Sequence, residues 1–236
     1  MKKKTLRFGL GLFLVSLLFL SCDSGIVGNG EVQTRTKSIG DFSRLEISGN
    51  FNVFFDQTGK PGLRIEADEN IMDIIKIRET GDKLEIYSDL NIIRARKKDI
   101  YISFNKLKEI ELGGALEVRG DGQLKFNTLN IYGSGAADVN LDIKSDFLRI
   151  EIAGAGDFDL EGEVRNADLE ISGAGGFDFR DLRTERMKIK ISGLARATVY
   201  ATDDLDVDIS GAGAVRYRGN PEISRNISGI GTLKKY

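Results

Sequence analysis

Leu169-Glu170-Ile171-Ser172-Gly173-Ala174-Gly175-Gly176-Phe177-Asp178-Phe179 is the stretch that decides how this chain folds. In it Leu169, Ile171, Gly173, Gly175, Phe177 and Phe179 fall on alternate positions, so an extended backbone puts them all on one face. Leu205, Val207, Ile209, Gly211, Gly213, Val215 and Tyr217 do the same one stretch later. Alternation with period two held over 11 residues is a strand signal, and an amphipathic helix would need a period near 3.6.

The motif returns along the chain. Segments beginning at Ile110, Leu129, Ile150, Leu169, Ile189, Val207 and Arg225 close on Gly114, Gly133, Gly154, Gly173, Gly193, Gly211 and Gly229. From Gly114 on, the closing glycine advances by 19, 21, 19, 20, 18 and 18 residues, and an earlier copy, Leu45–Gly49, closes on Gly49. Repeats of this length stack on their neighbours. The spacing therefore predicts an all-β parallel β-solenoid with strands about 4.8 Å apart and inner columns of Leu/Ile, glycine and aromatic residues. The repeat glycines are expected where the coil bends and its walls come too close for a side chain.

The outward positions form columns of their own. Glu151, Glu170, Lys190 and Asp208 are expected in one, and Asp138, Asp159, Asp178, Thr198 and Arg216 in another. Ser48, Ser172, Ser192, Ser210 and Ser228 each precede a repeat glycine. Small residues on both sides of the glycine, such as Ala153 and Ala155, Ser172 and Ala174, Ser210 and Ala212, make a low strip. That strip is expected to pack on another sheet, from this chain or a second copy. Residues 50–109 alternate less regularly and read as a capping part, with Met72 to Ile77 the one helical turn; residues 110–236 carry the regular repeats.

The chain opens with Lys2, Lys3 and Lys4, then after Arg7 an apolar run from Phe8 to Leu20, too short for a spanning helix. Leu18-Phe19-Leu20-Ser21-Cys22 follows the pattern of a bacterial lipobox, with Phe19 in place of the usual leucine. Residues 1–21 are expected to be a removed signal peptide and Cys22 to carry the lipid, which anchors the chain in a membrane, since each buried CH₂ contributes about 0.8 kcal/mol. Residues 22–41, polar and glycine-rich, read as a flexible tether.

Composition narrows the chemistry. With 34 Lys and Arg against 36 Asp and Glu there is no basic excess to suit nucleic acid. The absence of histidine excludes Ser-His-Asp and Cys-His catalysis and histidine-ligated metals, and a single cysteine excludes an intrachain disulfide. Proline occurs only 2 times, which suits long sheet, where it would break the ladder.

The Leu-x-Ile-Ser-Gly-x-Gly repeats, the leader and Leu63–Asn70 together resemble the head GIN domain family, described as "putative auto-transporter adhesin" and common as exported lipoproteins. The resemblance covers residues 42 to 232. It implies a right-handed β-helix, in one or two packed parts, and a place in the cell envelope.

Four motifs invite a sharper reading. Gly154–Asp159 and Gly173–Asp178 echo calcium-binding Gly/Asp repeats, but those recur every nine residues. Asp157, Asp159 and Asp178 are thus the only metal candidates, and the better reading is a solvated acidic face with no metal. The same three carboxylates are the candidates for a carbohydrate-active enzyme, since glycosidase carboxylates lie roughly 5–9.5 Å apart. Gly211-Ala212-Gly213-Ala214 lacks the following helix that a dinucleotide loop needs. Arg94-Ala95-Arg96-Lys97-Lys98 reads as a charged hairpin loop. The expectation is a non-enzymatic envelope lipoprotein, at the outer membrane, cell surface or periplasmic face. It uses no cofactor and offers an extended solenoid surface to a glycan or protein. The alternatives are the carbohydrate-active enzyme and a structural scaffold that self-associates through its sheet faces or solenoid ends. Lys234 and Lys235 read as protection of the last edge.

Overall fold

A computed structural model describes residues 25–236, so the leader and Cys22 lie outside the described residues. The chain starts with strands β1 (Gly25–Val27), β2 (Val32–Lys37), β3 (Arg44–Asp56) and β4 (Gly62–Asp68). A helical turn α1 (Glu69–Met72) leads to β5 (Ile75–Thr80), β6 (Lys83–Ser88), β7 (Asn91–Arg94) and β8 (Lys98–Ser103). Five long strands follow: β9 (Glu109–Gly133), β10 (Ala136–Ile152), β11 (Ala155–Ile171), β12 (Ala174–Ile191) and β13 (Leu194–Ile209). The last are β14 (Ala212–Arg218), β15 (Glu222–Ile227) and β16 (Ile230–Lys235).

Each of β10 to β13 is one coil of a β-solenoid, paired in parallel with the coils before and after it. Moving on by one repeat brings like onto like: Ile150 lies beside Leu169, Leu169 beside Ile189, and Ile189 beside Val207. Alternation alone would make a flat strand, and a change of parity bends it. In β10 Ala137, Val139, Leu141 and Ile143 point inward, and after the corner the inward residues are Leu148, Ile150 and Ile152. Ser145 closes that corner from inside, its hydroxyl donating to the Phe147 carbonyl at 2.8 Å. Stacked aromatics extend through the core, as with Phe158 and Phe177, whose ring centroids are 5.4 Å apart.

The glycine column is real, and its composition and cause differ from the expectation. It runs through Gly49, Gly114, Gly135, Gly154, Gly173, Gly193, Gly211 and Gly229; Gly135 takes the place expected for Gly133. Gly133 instead pairs with Ile152 on the aliphatic column. The walls of the coil are not what crowds these residues. A Cβ on Gly173 would sit 1.7 Å from the carbonyl oxygen of Gly154 in the previous coil, and one on Gly193 would sit 1.9 Å from that of Gly173. At this corner the carbonyls point along the stack into the next coil. Only Gly49 and Gly114 of the column have a left-handed backbone, at φ +143° and +82°. For the others the demand for glycine is steric.

Residues 57–108 form an insertion on the free side of β3, whose other side pairs with β9. Two halves of β3 take different partners there: β6 aligns Leu84 on Leu45, and β8 aligns Ile100 on Val53. Antiparallel strands finish each half, β5 on β6, and β4 then β2 on β8. The less regular part and the regular repeats therefore share one 14-stranded sheet.

Two expectations are corrected here. Residues 25–37 of the expected tether contain β1, parallel to β7, and β2, antiparallel to β4. The helical turn is Glu69–Met72, whereas Ile75 and Ile77 belong to β5 and pair with Ser88 and Ile86.

A buried carboxylate fastens this cap. Asp68 accepts backbone N–H bonds from Gly30 at 2.9 Å, Arg96 at 3.1 Å and Lys97 at 2.9 Å. Burial pushes its pKa up, and the three donors outweigh that and hold it below the ordinary carboxylate value. At the opposite end of the stack, Arg225 sits on the inner column over Val207, and Lys235 over Tyr217. Inward charges of this kind blunt a sheet edge. Lys235 plays that part, while Lys234 lies over outward Arg216.

Candidate functional site

Outward side chains of successive coils line up, so the surface is a set of columns running across the strands. Glu151, Glu170, Lys190 and Asp208 share one column, as the spacing predicts. Its charges are largely paired: Lys190 bonds Glu170 at 2.8 Å, and Arg149 bonds Glu151. The mix of signs in the column, with Lys190 between Glu170 and Asp208, limits like-charge repulsion.

The aspartates occupy two columns. Asp138 lies beside Asp157, and Asp159 lies between Asn140 and Asp178, which corrects the expected alignment of Asp138 with Asp159. Asp157 accepts the Gly176 backbone N–H at 2.9 Å. Asp178 is paired with Arg180 at 2.6 Å, and that bond holds its pKa below the ordinary value. Burial first, and then the charge of Asp178, push Asp159 the other way. Asp178 is thus engaged by a guanidinium, and Asp157 by a backbone amide. Among the described residues no three Asp, Glu, His or Cys side chains are placed to hold a metal ion.

The basic segment 94–98 is tied into the cap. Lys97 reaches both Glu66 and Asp99 at 2.9 Å, which raises its pKa, and burial lowers that of Lys98, whose ammonium bonds the Asn50 side chain. The strip of small residues forms the outer corner of the coil. Ala155, Ala174, Leu194, Ala212 and Ile230 align on it, and Leu194 and Ile230 remain 65% and 85% exposed. Nothing among the described residues covers this corner, so the expected packing against a sheet of the same chain is not found.

The column of Asp159, Asp178, Thr198 and Arg216 has a cap half that the spacing does not predict. At the cap end Thr36, Arg64, Tyr101, Phe54 and Arg119 stand side by side, contributed by β2, β4, β8, β3 and β9. It continues through Asn140, Asp159, Asp178, Thr198 and Arg216 to Lys234. The Phe54 and Tyr101 rings stack at 4.8 Å with 17° between planes, and the Arg64 guanidinium lies 3.6 Å from the Tyr101 ring centre. Beside this row runs a second one with Gly62, Ser103, Asp56 and Asp121, and between them opens a cleft of about 640 Å³. Its floor is the backbone of the inward residues Leu63, Ile102, Phe55 and Gly120. The signal in the sequence was a large outward aromatic inside each alternating strand, Phe54 between Val53 and Phe55 and Tyr101 between Ile100 and Ile102.

These features define a β-solenoid with a capped first coil, a largely apolar core and its chemical variety spread over outward columns. The chain belongs to the family described as "Putative auto-transporter adhesin, head GIN domain", whose model matches residues 41–221. Among solved structures it is similar to a candidate adhesin of Bacteroides fragilis NCTC 9343, at 26% identity and TM-score 0.85, over 90% of this chain and 100% of that one. It is also similar to a candidate lipid-binding protein of Parabacteroides distasonis ATCC 8503, at 25% identity and TM-score 0.72, over 89% and 99% of the two chains. A candidate adhesin of the same organism, at 18% identity and TM-score 0.69 over 90% and 100%, shares the fold. No curated protein shows significant similarity to the chain.

Proposed function

We propose that this chain is a non-enzymatic binding module of the cell envelope, adhesin-like in action, which holds a rigid outward face toward a glycan or protein partner. The observation that carries this reading is the column from Thr36 to Lys234, which crosses eleven strands of one sheet without a break. At about 4.8 Å per strand it spans roughly 48 Å. A surface of that length and regularity suits a long ligand, and its backbone is fixed by the ladder before the ligand arrives. The family description and the candidate adhesin of Bacteroides fragilis point the same way. Against the carbohydrate-active enzyme stands the engagement of Asp178 by Arg180 and of Asp157 by Gly176, which ties up two of its three candidate carboxylates.

In this reading the chain is exported and anchored through lipid on Cys22. β1 begins at Gly25, three residues beyond Cys22, so the cap would stand close to the membrane surface. The test is binding of the purified full chain, in detergent, to a glycan array and to a panel of immobilised surface proteins. Saturable binding to members of either set is expected. A chain that binds nothing on either would act as a scaffold, and the proposal would fail.

A further inference from the structure

The cleft beside the aromatic row brings together three chemistries. One wall carries Phe54 and Tyr101, both only half buried although they stand on outward positions. That wall is flanked by two guanidinium groups. Arg64 and Arg119 keep 43% and 46% of their side chains exposed, and each is held by a carboxylate two residues away on its own strand, Glu66 and Glu117. A guanidinium has five donors in a rigid fork, so one such pair leaves donors for a second anion. On the facing wall the carboxylates of Asp56 and Asp121 make no hydrogen bond or ion pair with any described residue. From β2 to β9 the trough covers four inter-strand steps, roughly 19 Å.

We propose that this trough binds a carboxylated saccharide chain laid across the strands, with its carboxylates toward Arg64 and Arg119. The proposal rests on the binding-module reading and gives it a place and a ligand class. Each element of the cleft answers one part of such a ligand. The C–H groups of the sugar rings contact the ring edges of Phe54 and Tyr101, which stack on each other. Ring hydroxyls donate to Asp56 and Asp121 on the other side. Sugar carboxylates take the remaining guanidinium donors in charge-assisted bonds. An acidic peptide or a nucleic acid fits less well, because its unbroken negative charge would face two unpaired aspartates without hydroxyl donors to satisfy them. A neutral saccharide would leave both guanidinium groups unused.

The experiment is calorimetric titration of the full chain in detergent with octasaccharides of galacturonate, hyaluronan and heparin. Neutral maltoheptaose and a poly-aspartate peptide serve as comparison ligands. Binding of at least one acidic octasaccharide is expected, weakened about tenfold or more by Arg119→Ala and by Phe54→Leu, as the loss of a charged hydrogen bond or a ring contact requires. Arg196→Ala, on another column, should leave affinity unchanged, and thermal melts of all variants report whether they fold. Octasaccharide binding that ignores Arg119→Ala and Phe54→Leu would overturn the site while the binding-module reading stands. Preference for poly-aspartate or maltoheptaose would overturn the ligand class. Failure of all three octasaccharides would overturn the proposal, and the array test above then decides separately whether the chain is a binding module.

Discussion

Replacing Gly173 by alanine adds one methyl group at a place with no room for it. The new carbon would meet the Gly154 carbonyl oxygen at 1.7 Å and that of Ala153 at 2.6 Å, where real Cβ contacts essentially never fall below 3.0 Å. Both atoms are backbone, so no side chain can swing aside. The coils must separate by about 1.3 Å at this corner, a figure set by the same contact limit. Among the ladder bonds that cross it are those of Gly173 N–H to the Ile152 carbonyl at 3.2 Å and Ala174 N–H to the Gly154 carbonyl at 3.0 Å. Weakening both costs about 1–3 kcal/mol, and overpacking a tight interior costs about 1–3 kcal/mol more. The expected loss is about 2–6 kcal/mol, or a fall in Tm on the order of 10 °C for a domain of this size. Gly133→Ala is the matched control. Its Cβ would meet only the tip of the Ile152 side chain, at 2.7 Å, which can rotate away. Differential scanning calorimetry of the two variants beside wild type separates backbone crowding from a general need for glycine. Equal Tm values for Gly173→Ala and wild type, or a larger loss in Gly133→Ala, would refute the reasoning.

Asp68 supplies an acid-sensitive fastening. Its folded pKa lies below its unfolded value near 3.8, so its contribution is fully present above that pH and is lost as pH falls through the folded value. Asp68→Asn should lower Tm at pH 7 and flatten the decline of Tm between neutral and acid pH; parallel curves for variant and wild type would count against this. Asp159 has the opposite sign, its pKa being raised, so Asp159→Asn should leave Tm at pH 7 equal or slightly higher, and a clear drop would show that the carboxylate has a structural partner. Ala174→Arg, on the open corner, should leave Tm within about 0.5 kcal/mol equivalent of wild type. If copies associate through that corner, sedimentation velocity will show the variant shifted toward monomer. Arg225→Val with Lys235→Val removes both inward charges from the last coil and should produce concentration-dependent association in sedimentation; a monomer at all concentrations would mean those charges do not guard the edge.

The inside of this molecule was legible because the solenoid turns a non-local fold into a local repeat. Leu169, Ile171 and Phe177 announce their face by alternation, and a shift of one repeat gives the neighbour. The glycines misled at one position because Tyr132-Gly133 looks like Ser172-Gly173, while register places Gly133 beside Ile152. Only the pairing of β9 with β10 reveals that Gly135 is the true member. Val32–Lys37 was illegible for a different reason. As the outermost antiparallel strand it exposes nearly all of its residues, and its backbone bonds to β4 leave no mark in the side-chain pattern. The cleft was hidden for the same cause at larger scale, since Arg64 and Tyr101 come beside Phe54 only through the insertion that folds back on β3. Cys22 and the leader remain a matter of sequence, outside the described residues.

The most direct test of the binding-module account is whether the face is presented outside the cell. Labelling of intact cells with a membrane-impermeant lysine-reactive biotin is the probe, with lysed cells as control. The account predicts labelling of the chain on intact cells, on exposed lysines such as Lys125, Lys144 and Lys188. Labelling only after lysis would contradict it and leave a periplasmic scaffold in its place.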